Sequence, residues 1–259
     1  MIVDMNAFLG RWPFWKLRYQ GVKNLLKLMD RAKIDKAVVS SLDSVFFINY
    51  EEGNIDVADA CCLHSDRLIP FAVINPNFPL WIDHLEVCVE EYGARGIKLH
   101  PDYHKYSLLS EEVAELMRKA KKMKLPVFIQ TSIMDMRHHP GYCLVVEASI
   151  LEVASVIKRY PENTFIIGGA KHFGSRVREL LGQVSECKNF YIETSGIGGP
   201  FDCIERLVES IGSSKLLLGT RMPLLYPESA KLMVEKAEID EEDKEKILGG
   251  NASNLLSIQ

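Results

Sequence analysis

Two basic residues, Lys98 and Arg221, end short apolar runs, in Gly96-Ile97-Lys98-Leu99 and Leu216-Leu217-Leu218-Gly219-Thr220-Arg221. A guanidinium offers a bidentate fork and an ammonium a point charge, so the pair suits a carboxylate or phosphate. The alternative is internal neutralisation by Glu193 or Asp43, because a buried cation must be paired with something. His100 and His104 flank Asp102 directly after Leu99, and imidazole is the group whose ordinary pKa suits proton transfer near neutrality. Asn6, Gln130 and Glu193 also close apolar runs; the two amides are candidates to donate hydrogen bonds to developing charge. The expected catalytic residues are His100 and Arg221, with Asn6, Lys98, His104, Gln130, His172 and Glu193 contacting the substrate.

Other groups say less. His138 and His139 lie in the loop Asp135-Met136-Arg137-His138-His139-Pro140. With His100, His104, His172 and Glu193 they are the source for a relocated zinc or other divalent metal. Neighbouring side chains point apart in extended backbone, so the pair supplies one ligand at best, and a solvated loop is the preferred reading. Gly196-Ile197-Gly198-Gly199-Pro200 precedes a helix, where backbone N–H groups can hold phosphate, but no anchoring Lys or Ser/Thr signature accompanies it. Neither Ser132 nor Ser195 stands in a G-x-S-x-G elbow, which sets covalent catalysis aside. Trp12, Pro13, Phe14 and Trp15 form a cluster that would roof a pocket, cover a partner or simply pack a loop.

All these side chains must be positioned by the elements they terminate. Eight apolar runs read as strands: Ile2 to Met5, Ala37 to Ser40, Leu68 to Ile74, Gly96 to Leu99, Pro126 to Gln130, Thr164 to Ile167, Phe190 to Glu193 and Leu216 to Gly219. Between them apolar residues recur at steps of three and four, as in Ile82, Leu85, Val89 and Tyr92, in Val113, Leu116, Met117, Ala120 and Met123, and in Ile150, Val153, Ile157 and Tyr160. Ser110 reads as an N-cap, Pro161 as a stop, and Asp240 as the opening of the acidic turn Glu241-Glu242-Asp243. Strands without polar alternation, such as Val127-Phe128-Ile129 and Phe165-Ile166-Ile167, need a sheet covered on both faces. Strands alternating with helices, eight in number over 259 residues, predict an α/β fold: a (β/α)8 TIM barrel forming one domain over 1–259. An open doubly wound sheet is the runner-up. In a barrel the loops after the strands build the active site, which is where the polar residues above fall.

Several segments then resemble, in order, the amidohydrolase-related family of metal-dependent-hydrolase-like barrels. They are Val3-Asp4-Met5-Asn6-Ala7-Phe8-Leu9-Gly10, Gly96-Ile97-Lys98-Leu99-His100-Pro101, Phe165-Ile166-Ile167-Gly168-Gly169, Leu218-Gly219-Thr220-Arg221-Met222-Pro223, and Gly250-Asn251-Ala252 before Leu255-Leu256. The likeness runs the whole chain. It implies hydrolysis of a lactone, amide or ester, or decarboxylation, of a small carboxylated molecule. It also implies a divalent metal held by an H-x-H pair on the first strand, histidines after the fifth and sixth, and an aspartate after the eighth. Those places hold Asn6 and Phe8, Gln130, a position near Gly169, and Arg221. Phe8 cannot ligate and a guanidinium repels a cation, so neither the usual metal nor another cofactor is expected.

The net charge of -4 argues against nucleic acid as partner, which leaves a basic footprint. No apolar run reaches membrane-spanning length and no basic segment precedes an apolar stretch at the N-terminus, so a cytoplasmic chain without membrane contact is expected. The cysteines Cys61, Cys62, Cys88, Cys143, Cys187 and Cys203 form no C-x-x-C pair and read as reduced thiols. Three functions are consistent with these residues: a metal-independent enzyme, a non-catalytic small-anion binder or partner subunit, and a metalloenzyme with relocated ligands. A homodimer is expected on family grounds alone.

Overall fold

Each apolar run becomes a parallel strand beside the next in sequence. In the computed structural model, residues 1–47, 49–169, 173–198 and 202–258 are described, the side chains of 173–175 excepted. β1 (Val3–Leu9) pairs with β2 (Lys36–Ser41), and β2 with β3 (Leu68–Pro70). β4 (Ala72–Val73) pairs with β5 (Ile97–Leu99), and pairing continues through β6 (Val127–Gln130), β7 (Phe165–Gly168), β8 (Phe190–Glu193) and β9 (Leu216–Leu217). β3 and β4 are two halves of one stave, so the eight expected strands are present. The ring closes where Met5 N donates to Leu218 O (2.8 Å), Phe8 N to Met222 O (2.9 Å) and Arg221 N to Asn6 O (2.7 Å). The fold is a (β/α)8 barrel.

The third stave breaks just past Pro70, after Phe71 N has made a last bond to Val39 O (2.9 Å). Past it, β4 turns towards β5, and the peptide groups it would have offered to β2 need other partners. Asn54 supplies them: its amide donates to Val73 O (2.8 Å) and its carbonyl accepts from Val73 N (2.9 Å).

Side-chain parity decides what enters the barrel. Phe71, Phe128, Ile166 and Leu217 fill the interior with Val3, Met5 and Val38, while Ala252 and Leu256 close its floor. Ile97, Leu99, Val127, Ile129, Phe165, Ile167, Ile192 and Leu216 face outward and pack on the helices Trp81–Glu90, Glu111–Met123 and Ile150–Arg159, which carry the predicted three-four spacing. Ser110 caps its helix as expected, accepting from Val113 N at 3.3 Å. Asp240 opens the acidic first turn of the helix Glu241–Glu245 as expected, without making a side-chain cap bond.

The first strand also differs from expectation. It runs to Leu9, so Asn6 and Phe8 lie within it rather than beyond it. A register shift between Asp4 and Ala7 adds a residue to β1, and the bulge reverses parity. Val3 and Met5 can therefore face the interior below, and Asn6 and Phe8 the interior above, while Ala7 and Leu9 pack outward on the helix Val22–Ala32. Asp4 holds this bulge. Its carboxylate accepts from the backbone N–H of Asn6 (2.9 Å) and Thr220 (2.9 Å) and from the Thr220 hydroxyl, joining first strand to last. Burial raises its pKa to about 6, against the lowering effect of those hydrogen bonds.

All six cysteines are free, and no helix among the described residues is long and apolar enough to cross a membrane.

Asp4→Ala strands two buried N–H groups and is expected to cost about 2–4 kcal/mol in urea unfolding. Because the folded-state pKa of Asp4 lies above its unfolded value, its contribution is fully present below the unfolded pKa and is lost as pH rises through about 6. Urea midpoints of wild type relative to Asp4→Asn are therefore expected to fall across that window.

Candidate functional site

The upper interior of the barrel gathers the polar ends of five staves. Lys98, 1% exposed, donates from Nζ to Asn6 Oδ1 at 2.6 Å and lies over the rings of Phe8 (4.0 Å) and Phe128 (4.5 Å). The Asn6 amide donates onward to Glu193 Oε2 (2.8 Å), Gln130 Oε1 (3.2 Å) and Ser195 Oγ (3.3 Å). Ser195 binds Glu193 through both its backbone N–H and its hydroxyl, and Gln130 donates to Ser132 O at 2.7 Å. Every member is buried except Ser195, which is half-buried and marks where solvent reaches the network.

Glycines make room for the carboxylate. A Cβ on Gly219 would stand 1.7 Å from Glu193 Oε1, and one on Gly168 would stand 2.9 Å from Oε2. Both residues flank β8; Gly219 leaves the space that Glu193 fills, and Gly168 leaves space for the Phe128 ring (2.5 Å from such a Cβ) as well as for Glu193.

Electrostatics follow from burial. Lys98 is lowered to about 7, first by desolvation and then by repulsion from Arg221, with Glu193 and Asp4 acting in the opposite sense. Glu193 is raised by desolvation, although Ser195, Arg221 and Asn6 favour its charge. Both partners are thus pushed towards their neutral forms.

Arg221 takes a left-handed backbone conformation (φ 55) that turns its side chain back across the mouth. Nη1 donates to Ile133 O (2.8 Å) and Nη2 to Ser195 O (2.7 Å), clipping the loops after β6 and β8 together. The free bidentate fork expected from sequence is therefore corrected: the fork is taken by backbone, and Nε alone is unpartnered. Glu193 supports its charge across the mouth. Asp43, the other expected counter-ion, pairs with Arg11 instead.

His100 faces Phe8, ring centroids 6.5 Å apart, and both its nitrogens are buried without a partner. Its pKa falls well below the ordinary value, from burial first and then from Lys98 and His104. This corrects the expectation that rested on an ordinary imidazole pKa, because a histidine held neutral is a hydrogen-bond partner and a weak base. His104 stands 6.0 Å from it against the backbone of Ser44 and Val45, lowered to about 4 by burial, and does not reach the Asn6 network. The carboxyl of Asp102 is buried with neither oxygen hydrogen-bonded, although the amides of Tyr103 and Ile133 lie near; burial raises its pKa far above the usual range. Sequence reasoning noted Asp102 only as a flanking acid and missed Ser195 as a partner of Glu193 and Phe8 as a cation-binding face.

Over the mouth, Trp12 meets Phe14 (5.2 Å), Phe46 (5.4 Å) and His139 (5.8 Å) edge-on, and the Tyr103 hydroxyl is 2.6 Å from His139 Nε2. The aromatic loop is thus a roof. His138, the last residue of the short 3-10 turn Met136–His138, faces Trp15 instead, so the adjacent histidines part. His172, Gly199 and Pro200, part of two sequence readings, lie outside the described residues.

The places that the resemblance gives to metal ligands hold the Asn6 amide, the Phe8 ring, the Gln130 amide, a position near Gly169 and the Arg221 guanidinium, with the Lys98 amine between the first two. This donor set does not fit a divalent cation. Among the described residues no three His, Cys, Asp or Glu side chains group as metal ligands.

Comparison with known proteins agrees on the scaffold. A family model described as amidohydrolase matches residues 12–258. The 2,6-dihydroxybenzoate decarboxylase from Rhizobium superposes with a TM-score of 0.76 at 18% identity, covering 99% of this chain and 98% of that one. The 5-carboxyvanillate decarboxylase from Sphingomonas paucimobilis gives 0.78 at 14%, covering 100% and 99%. A dihydroxybenzoic acid decarboxylase from Polaromonas, solved with manganese and an inhibitor, gives 0.75 at 18%, covering 99% and 96%. With a family match over nearly its whole length and this barrel around its polar mouth, the chain belongs to the amidohydrolase family.

Proposed function

We propose that this chain is an enzyme of small carboxylated molecules, aromatic acids foremost, which it decarboxylates or in which it hydrolyses a lactone, amide or ester bond, without the usual divalent metal. One observation carries the reading: a buried amine, Lys98, and a buried carboxyl, Glu193, share the amide of Asn6 in the barrel mouth. Protonated, Lys98 draws a substrate carboxylate or developing oxyanion; Glu193, its pKa raised by burial, gives or takes the proton. The decarboxylases that share this fold act on dihydroxybenzoate and carboxyvanillate, which supports an aromatic acid as substrate, and the roof around Trp12 offers ring edges for it.

In this reading Arg221 adds one hydrogen bond through Nε while its fork holds the loops, and Asn6 and Gln130 orient the anion and Glu193. Neutral His100 gives a single hydrogen bond, His104 steadies His100, and His172 is a further substrate contact. The protein acts in the cytoplasm on a free small molecule, as a homodimer, with neither nucleic acid nor membrane as partner.

A second reading, a non-catalytic anion binder or partner subunit, is favoured by the engagement of both Arg221 Nη atoms with backbone. A panel of aryl carboxylates, lactones, amides and esters separates the two, since a binder turns over none.

For the substrate found, Glu193→Gln is expected to lower kcat by about 10²–10⁴-fold with KM changed only a few-fold, read from steady-state kinetics. Lys98 is positive below a pKa of about 7 and neutral above it. Affinity for benzoate, measured by calorimetry between about pH 5 and about pH 9, is therefore expected to fall as pH rises through that value.

A further inference from the structure

We infer that the Lys98 ammonium stands in the place of the family's metal ion and is the protein's own built-in cation. This rests on the reading above and names what replaces the metal. Nζ lies 2.6 Å from Asn6 Oδ1 and 4.0 Å from the centre of the Phe8 ring, the two side chains at the positions of the H-x-H pair. An amide oxygen and an aromatic face are both hosts for an ammonium, and a phenyl ring is no ligand for a divalent ion.

The surroundings share one design. Phe128 closes the cage from below, 4.5 Å from Nζ. Glu193 supplies the compensating negative charge through the Asn6 amide, and the glycines at 168 and 219 keep space for it. Arg221, where an aspartate would complete a metal set, brings a second positive charge to the same mouth. The Arg221 charge, joined by that of Lys98 while its amine is protonated, repels a further cation in so dry a space. The substitutions at 6, 8 and 221 therefore act as one change around Lys98 rather than as separate losses.

The test uses Mn²⁺ and benzoate as probes of the whole chain. After chelator treatment and dialysis against Mn²⁺, wild type is expected to retain fewer than about 0.1 equivalents and to show no rise in Tm. One equivalent retained by wild type and lost in Asn6→Ala would overturn the inference. Lys98→Met, matched in length but uncharged, is expected to bind benzoate at least about tenfold more weakly, and unchanged affinity would equally overturn it. The triple variant Asn6→His, Phe8→His, Arg221→Asp is expected to bind no Mn²⁺ while Lys98 remains, and to bind it once Lys98→Met is added; equal binding by both would sink the idea. Should the multiple variants fail to fold, the wild-type metal measurement and Lys98→Met decide alone. Wild type that binds no aryl carboxylate would count against the proposed substrate class, and the Mn²⁺ measurements would still judge the cation.

Discussion

A lysine amine held out of water in the throat of a barrel dictates most of what surrounds it. Desolvation costs an isolated ion several kcal/mol, and only close, well-oriented partners return it. Lys98 finds three kinds: the Asn6 carbonyl oxygen, the faces of Phe8 and Phe128, and the carboxyl of Glu193 beyond the Asn6 amide. Each partner is constrained in turn. Asn6 must face inward, which needs the bulge in β1; Glu193 must have room, which Gly219 and Gly168 beside it leave.

The same residues that compose the candidate site also close the barrel. Asp4 ties the bulge to Thr220, Arg221 N pairs with Asn6 O, and the Arg221 guanidinium bridges Ile133 and Ser195. Stability and site geometry are therefore coupled through a few buried polar contacts, which in a low dielectric are costly to leave half-made. An arginine that spends both Nη groups on carbonyls positions loops more than it binds ligands. That shifts the weight of anion recognition to Lys98 and leaves Arg221 to act chiefly through its charge.

The imidazoles illustrate how burial changes a residue's chemistry. His100 and His104 have the identity of acid–base groups, yet enclosure by Phe8, Lys98 and the backbone of Ser44 and Val45 keeps both neutral near physiological pH. Glu193 moves the opposite way and becomes the group whose proton is held into a higher pH range.

The barrel was legible in the sequence because its signals are local and repeated: apolar runs such as Val127-Phe128-Ile129 between helices with three-four spacing, and a true cap at Ser110. That the Phe8 ring and the Arg221 guanidinium cannot ligate a metal was legible from residue type, whereas setting Asn6, Phe8, Gln130 and Arg221 at ligand places came from the family resemblance. Pairing was not legible. That Lys98 would lie over Phe8, that the Arg221 fork would go to Ile133 and Ser195, and that His100 would be enclosed depend on strand parity, one bulge and contacts between residues far apart in the chain, 88 positions for Arg221 and Ile133. Side-chain identity fixes what a group can do in water; tertiary structure decides who its neighbours are and how much water it keeps, and for buried charges those two facts set the chemistry.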